Sequence, residues 1–307
     1  MPPVLINRLN TILLAVFACL LWSSVYPAIK IGLQYAPPFH FAAVRFMIAG
    51  VIILPFTVSP KSYIGMIRDN WRLVLYVTSL QTILNYSLFY SGMKLVPGAI
   101  GALIVGSQPL ITAIVSAIMI KDERLTLRKI ITIIVGITGV LLISAGRQAL
   151  HLGTVTELLG IAMILSANLA TAVSNVLISA GSRKMNPLVL SSFSLFTGGF
   201  LIMILSIVFE EQPGFNLPSG YWITLVWLSL VAAVAFSLWY KLLQRPGVKV
   251  SELNLWKFII PGVGAVLSWI ILPDENPDWL TISGILIITA SLIMFFRSNK
   301  KREKITE

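Results

Sequence analysis

Long runs of apolar residues, separated by short polar breaks, dominate the pattern of this chain. A helix needs about 20 apolar residues to cross about 30 Å of hydrocarbon. Ten runs approach or exceed that length, at roughly 10–31, 40–58, 71–93, 98–119, 127–146, 155–179, 187–209, 221–243, 252–272 and 279–296. The pattern therefore predicts an all-α polytopic membrane protein with ten transmembrane helices. The break near Pro97 predicts either a tight turn or a kink.

Composition indicates the same class of protein. Of the 307 residues, 57% are hydrophobic and only 11% are charged, whereas a soluble domain carries about a quarter charged residues. The first apolar run lacks a small-residue cleavage site after Trp22, so we interpret it as a retained span rather than a signal peptide. One cysteine, Cys19, excludes an intramolecular disulfide, and the distant His40 and His151 predict no metal site. The sequence predicts no cofactor.

The basic residues predict how the chain is oriented in the membrane. With the N-terminus inside, 18 of the 23 Lys and Arg residues fall in cytoplasmic segments and 3 fall outside. Arg45 and Lys257 lie within spans. Positive residues accumulate in cytoplasmic loops, so this split predicts that both termini are cytoplasmic, in the plasma membrane. The same split accounts for the net charge of +11, and it removes the only argument for nucleic-acid binding.

The two halves of the chain resemble each other. Pro109–Glu123 aligns with Pro261–Glu275 at an offset of 152, sharing Pro, Ala, Ser, Ile, Asp and Glu in register. Other matches follow in the same order: SLFY at 87–90 with SLWY at 237–240, and Pro38 and Gly50 with Pro187 and Gly199. Each half contains five spans, an odd number, so the second copy must enter the membrane inverted. We therefore predict repeats at 10–146 and 155–297 and a cytoplasmic tail at 298–307.

Two stretches carry a family resemblance. LLWSSVYPAIKIGL in the first span, and the hairpin that begins at SLFYSGMKLVPGAIG, resemble the drug/metabolite transporter superfamily in its EamA-like branch. Tyr90, Pro109, Glu123 and Gly139 occupy the hairpin's usual places. The resemblance implies two five-helix repeats, a central cavity, and export or exchange of small metabolites. Lys257 departs from the repeat, because the matching residue in the first half is Val105.

A transport site near the membrane midplane requires polar, aromatic and helix-breaking residues that face the bundle. Candidates within the spans, besides the two cations, are Trp22, Ser24, Tyr26, Asn85, Tyr86, Asn168 and Asn175. Each residue has a structural alternative, either hydrogen bonding between helices or bonding to its own backbone.

Arg45 is six residues into the second span, which is about 9 Å along a helix. A guanidinium at that depth reaches the outer surface by snorkelling, so structural anchoring competes with substrate binding.

Lys257 belongs to a polar and small stripe with Asn254, Pro261, Gly264 and Ser268, at helical spacing. The stripe predicts that Lys257 faces other helices or a cavity. Two alternatives remain at this stage: snorkelling to cytoplasmic headgroups, and pairing with Glu252. A lysine in a cavity without an acidic partner attracts an anion, and a substrate carboxylate or phosphate is the natural one.

We therefore predict a secondary transporter of a small organic metabolite, such as an amino acid or another carboxylate, in contact with the lipid bilayer. A small-molecule channel and an integral membrane enzyme are the alternatives. The sequence contains no convergent catalytic set for an enzyme. No acidic residue is placed firmly inside a span, so exchange and facilitated diffusion stand beside proton antiport. Substrate identity, transport direction and oligomeric state are left open.

Overall fold

The computed structural model describes residues 3–96, 101, 104–123, 125–147, 155–181, 185–214, 216–272 and 276–306. Within these ranges the secondary structure is helical, with no strand. The helices are α1 Pro3–Ser23, α2 Val25–Gly32, α3 Pro38–Ile53, α4 Pro60–Asp69, α5 Trp71–Val77, α6 Asn85–Met93, α7 Gln108–Met119, α8 Leu127–Arg147, α9 Val155–Gly181, α10 Pro187–Phe209, α11 Ser219–Leu243, α12 Val250–Leu255, α13 Ile259–Ile271 and α14 Trp279–Thr306. The predicted break near Pro97 and the repeat residue Glu275 lie outside the described residues.

Apolar helices long enough to cross a membrane confirm that the architecture is polytopic. Six such helices lie in the described ranges: Leu9–Gly32, Pro38–Phe56, Val155–Gly181, Pro187–Phe209, Ser219–Leu243 and Val250–Ile271. Two shorter apolar helices are Ile104–Met119 and Trp279–Ile293. Large apolar side chains such as Ile207 and Phe209 are mostly exposed. Exposed apolar side chains of this kind are stable against lipid, where no water opposes them.

Proline interrupts two of the membrane helices next to candidate residues. Proline has no N–H to bond the carbonyl four residues earlier. Pro27 therefore leaves the backbone carbonyl of Ser23 without its helical donor, and the helix breaks at Ser24, between α1 and α2. In the same way, Pro261 leaves the backbone carbonyl of Lys257 without its helical donor. A 3₁₀ turn at Trp256–Phe258 separates α12 from α13. Lys257 thus sits on a local break in its helix.

The span between α5 and α6 contains an irregularity that the sequence did not predict. Residues Thr78–Leu84 form a π-helical segment, and such segments are uncommon and often lie at functional sites. Thr78, Gln81 and Thr82 in this segment are buried.

Repeat-matched glycines hold two pairs of helices together. Gly50 of α3 faces α10 so closely that a Cβ there would lie 2.7 Å from the backbone nitrogen of Phe196. A Cβ at Gly199 of α10 would lie 2.9 Å from the carbonyl oxygen of Ala43. In the other pair, a Cβ at Gly139 of α8 would lie 2.7 Å from the carbonyl oxygen of Gly284 in α14. Small residues allow helix backbones to approach in this way in membranes.

Candidate functional site

Lys257 points into the helix bundle. Its Nζ donates a hydrogen bond to Gln108 Oε1 at 3.2 Å. The same nitrogen lies 4.8 Å from the ring centroid of Trp239 and 5.5 Å from that of Trp22. The predicted inward orientation is confirmed, and the snorkelling alternative is wrong, because the ammonium group is held between two indole rings. The pairing with Glu252 is also wrong, since Glu252 lies 3.6 Å from Lys249 instead.

A cavity lies beside this lysine. Its space free of protein atoms is about 610 Å³, part of which is open to the surroundings. The walls are residues of two repeat-matched segments together with single residues of α2 and α8, namely Tyr26, Val105, Gly106, Gln108, Pro109, Ile143, Lys257, Ile260, Pro261, Gly264 and Ala265. Both matched prolines line the cavity, where a broken helix is tolerated because it faces protein or water rather than lipid. Lys257 is the charged residue of this lining.

The surroundings of Lys257 leave its charge uncompensated. Among the residues that the structure describes, Lys257 forms no ion pair, and its hydrogen-bond partner Gln108 is a neutral amide. The faces of Trp22 and Trp239 attract the cation through their ring quadrupoles, at about 0.5–2 kcal/mol each. These contacts leave room for an anion on the cavity side. The arrangement can therefore bind a small anionic group and pack its apolar part against the tyrosine and proline rings of the lining.

The first-span candidates separate in the structure. Trp22 contacts Lys257 and lies edge-on to Trp239, with ring centroids 5.1 Å apart. Tyr26 lines the cavity and is 42% exposed. Ser24 faces elsewhere: its Oγ donates to the carbonyl of Leu21 at 2.7 Å and accepts from Trp227 Nε1 at 3.1 Å. These contacts favour a structural role for Ser24, as a hydrogen-bonding group within its own helix and to a neighbouring helix, over substrate binding.

The three buried asparagines bond helices to one another. Asn168 Nδ2 donates to the carbonyl of Ile104 at 2.6 Å. Asn175 Nδ2 donates to Asn254 Oδ1 at 3.2 Å, and Asn254 Nδ2 donates to the carbonyl of Val250 at 2.9 Å. Asn175 and Asn254 are fully buried. Their contacts favour the interhelical alternative, although Asn254 lies on the predicted stripe with Lys257.

Arg45 does not snorkel, so that expectation is corrected. Its side chain is only 4% exposed. The guanidinium carbon lies 4.5 Å from the ring centroid of Phe46 and 5.5 Å from that of Tyr86. Helical rise gives a position along the helix but not the direction of the side chain, which turns towards Tyr86 of α6. Asn85 is part-buried at the start of α6, next to Tyr86.

Sequence reasoning missed two partners of Lys257. Gln108 immediately precedes the repeat-matched Pro109, and Trp239 lies in the SLWY match. Both positions were visible as parts of the repeat. No sequence signal assigned them to the site, because α11 is apolar on all sides and its inward face cannot be read from periodicity.

Two acidic residues of the described chain cap the starts of helices that are distant in sequence. Glu123 accepts hydrogen bonds from the backbone nitrogens of Val250 and Ser251 and from Ser251 Oγ. Glu210 accepts from the backbone nitrogens of Phe39 and His40, at 3.0 Å each. Across the described ranges no group of three or more His, Cys, Asp or Glu side chains is arranged to hold a metal ion. His151 lies outside these ranges.

A helical bundle with an inward cation, a cavity on broken helices and lipid-facing apolar surfaces is typical of a membrane transporter. The sequence model of the EamA-like transporter family matches residues 9–145 and again 158–297. The chain belongs to the EamA-like transporter family. It is a multi-pass membrane transporter and not an enzyme.

Similar proteins agree with this membership. "Uncharacterized transporter YvbV" of Bacillus subtilis is 23% identical over 297 residues, which cover 96% of this chain and 94% of that protein. "Uncharacterized transporter sll0355" of Synechocystis is 24% identical and covers 87% of this chain and 84% of its own. A solved crystal structure superposes with a TM-score of 0.80 at 20% identity, over 96% of this chain and 99% of that one. This superposition shows the fold alone.

Proposed function

We propose that the protein is a secondary transporter that exports or exchanges a small organic metabolite bearing a carboxylate, such as an amino acid, by alternating access. The observation that carries the proposal is Lys257, an inward cation without an ion pair in the described chain, on the wall of a cavity. A carboxylate supplies the missing charge, and Trp22, Tyr26 and the two cavity prolines suit the apolar part of such a substrate.

The proposed architecture is ten transmembrane helices in two inverted five-helix repeats. The two consecutive family matches support the duplication. The glycine contacts support it as well, because Gly50 with Gly199 and Gly139 with Gly284 are pairs that join one half to the other. Repeats that face each other around a central site are suited to rocking, which opens the cavity to each side in turn.

Counterflow in proteoliposomes tests the function. Vesicles preloaded with one unlabelled carboxylate of a metabolite panel should take up the same labelled compound in a saturable manner, faster than unloaded vesicles. Uptake should not require a pH gradient, because no Asp or Glu lines the described cavity. Uptake that never saturates and gains nothing from preloading would favour the alternative, a channel or facilitator. An absolute requirement for a proton gradient would contradict exchange.

The proposed orientation places both termini in the cytoplasm of a plasma-membrane protein, on the basis of the 18-to-3 distribution of basic residues. We expect a cysteine at Gly214 to react with an impermeant thiol reagent added to intact cells, because the site has open space around it. A cysteine at the exposed Asp122 should react only after permeabilisation. The background is Cys19→Ser, since Cys19 is the single native cysteine and is buried. The reverse labelling pattern would invert the topology.

A further inference from the structure

Arg45 is a buried cation that the described chain leaves without a counter-ion. The side chain is 4% exposed, its Nε has no hydrogen-bond partner, and it forms no ion pair with any residue that the structure describes. A buried charge without a partner destabilises the folded chain. Contacts with the rings of Phe46 and Tyr86 offset part of that cost. An anion from outside the chain would offset the rest.

A continuous row of aromatic rings joins Arg45 to Lys257. Neighbouring ring centroids are 4.5, 6.3 and 5.7 Å apart along the aromatic row Tyr86, Phe46, Phe236 and Trp22. Arg45 contacts the first two rings, and Lys257 contacts the last. Tyr86 and Trp22 are only part-buried although both pack against the main core, whereas the two middle rings, Phe46 and Phe236, are buried. The accessible parts of the row are therefore its two ends.

The two cations approach the row from helices that start on opposite sides of the proposed membrane. Arg45 is seven residues from the start of α3, and Lys257 is seven residues from the start of α12. At 1.5 Å per residue, each lies about 10 Å from its own helix start. In the proposed orientation α3 starts outside and α12 starts inside.

We propose that Arg45 anchors a second anion subsite, in the outer half of the substrate path, where the carboxylate is held before or after its contact with Lys257. This subsite rests on the proposed function for the identity of the anion and for the direction of the path. The planar guanidinium can hold a carboxylate through two parallel hydrogen bonds. The part-buried rings at the two ends of the row, Tyr86 and Trp22, then pack against the rest of the substrate near each cation.

Benzoate is a suitable probe, because it combines a carboxylate with an aromatic ring, and benzamide is its uncharged analogue. The measurement is thermal unfolding of the detergent-solubilised full-length protein at increasing probe concentration. It is made in the Lys257→Met background, which removes the first cation. Benzoate should still raise the unfolding temperature in a saturable manner, and benzamide should not. Adding Arg45→Met should raise the apparent dissociation constant for benzoate roughly tenfold or more, because a charged hydrogen bond is lost.

Two further variants separate this site from general effects. Arg72 also lies over an indole ring, 5.4 Å from Trp71, but it is exposed, so Arg72→Met should leave the benzoate response unchanged. Arg45→Lys should bind benzoate more weakly than arginine and more strongly than methionine. If Arg45→Met does not fold, the comparison of Arg45→Lys with the parent decides the question: an unchanged dissociation constant overturns the proposal.

Three other outcomes would also contradict the subsite. The first is an equal rise of the unfolding temperature with benzoate and with benzamide. The second is a benzoate response that persists in Arg45→Met. The third is a benzoate response that Arg72→Met abolishes as completely as Arg45→Met does, which would mark benzoate as an adventitious additive only. The thermal measurement of benzoate binding does not depend on a transport assay. Normal counterflow in Lys257→Met would contradict the proposed role of Lys257, and the thermal measurement would still decide whether benzoate binds at Arg45.

Discussion

Lys257→Met is expected to reduce counterflow of a carboxylate substrate to the level of protein-free vesicles. Methionine has nearly the volume of lysine, so the packing against Trp22 and Trp239 is retained while the charge is lost. Loss of a charged hydrogen bond to substrate costs about 1.5–3 kcal/mol, which is roughly a 10- to 150-fold loss of affinity. The measurement is the initial rate of labelled uptake into preloaded vesicles over a range of substrate concentrations.

Stability separates this role from a structural one. An uncompensated cation inside the bundle is a cost to folding, so its removal should leave the unfolding temperature unchanged or higher. Lys249→Met is the matched control, because Lys249 is half-exposed and pairs with Glu252. It should transport normally. Lys257→Arg should recover part of the rate, since the charge is kept in a different geometry.

The proposed inverted repeat provides a stricter test of the same prediction. Val105 is the repeat counterpart of Lys257 and lines the same cavity. Adding Val105→Lys to Lys257→Met returns a cation to the lining of the cavity, and we expect partial recovery of uptake. Normal kinetics in Lys257→Met alone would contradict the proposed role and leave the lysine with a packing function.

The helices were predictable from sequence for a simple physical reason. In lipid, a long apolar run has to satisfy its backbone polar groups internally, so a helix is the stable choice. Six of the predicted runs accordingly coincide with helices long enough to cross a membrane, and two more overlap shorter apolar helices in the described ranges. The break at Ser24 was also predictable, because Pro27 removes one backbone hydrogen bond. The π-helical segment Thr78–Leu84 was not, since it contains no proline or glycine that signals it.

The candidate site was predictable only in part. The stripe around Lys257 identified its inward face, because small and polar residues recur there at helical spacing. Asn254 on the same stripe bonds to Asn175 instead of lining the cavity, and periodicity cannot distinguish these two environments. For Arg45, helical rise gives a position along the helix, but it does not give the rotation about the helix axis that sets where the side chain points. The rings that complete the site come from helices distant in sequence, and a single sequence does not specify those contacts.

Glu123→Ala is expected to destabilise the protein strongly. The Glu123 carboxylate accepts hydrogen bonds from the backbone nitrogens of Val250 and Ser251 and from Ser251 Oγ, and it is 4% exposed. These nitrogens belong to the first turn of α12, whose N–H groups have no partner within the helix. Lys129, also buried, donates to Ser251 Oγ at 2.6 Å. Alanine would leave buried donors unsatisfied, at about 1–3 kcal/mol each.

Transport should fall together with stability, because α12 leads directly to the turn that carries Lys257. The cap also joins the two family-matched segments, since Glu123 follows α7 in one and α12 begins in the other. A loosened start of α12 shifts the ammonium relative to Gln108, so we expect a several-fold lower uptake rate even in protein that remains folded. Glu123→Gln retains one oxygen acceptor and should lie between alanine and the native residue.

Glu252→Ala is the matched control for Glu123→Ala, because Glu252 lies in α12, the short helix that Glu123 caps. Its carboxylate makes a partly exposed ion pair with Lys249, and such pairs contribute about 0–1 kcal/mol. The measurements are the thermal unfolding temperature in detergent and the counterflow rate in vesicles. Equal unfolding temperatures for the two alanine variants would contradict the cap. Both side chains lie near the start of α12, but Glu123 binds N–H groups of another segment. Glu123→Ala should therefore lower the unfolding temperature more than Glu252→Ala does.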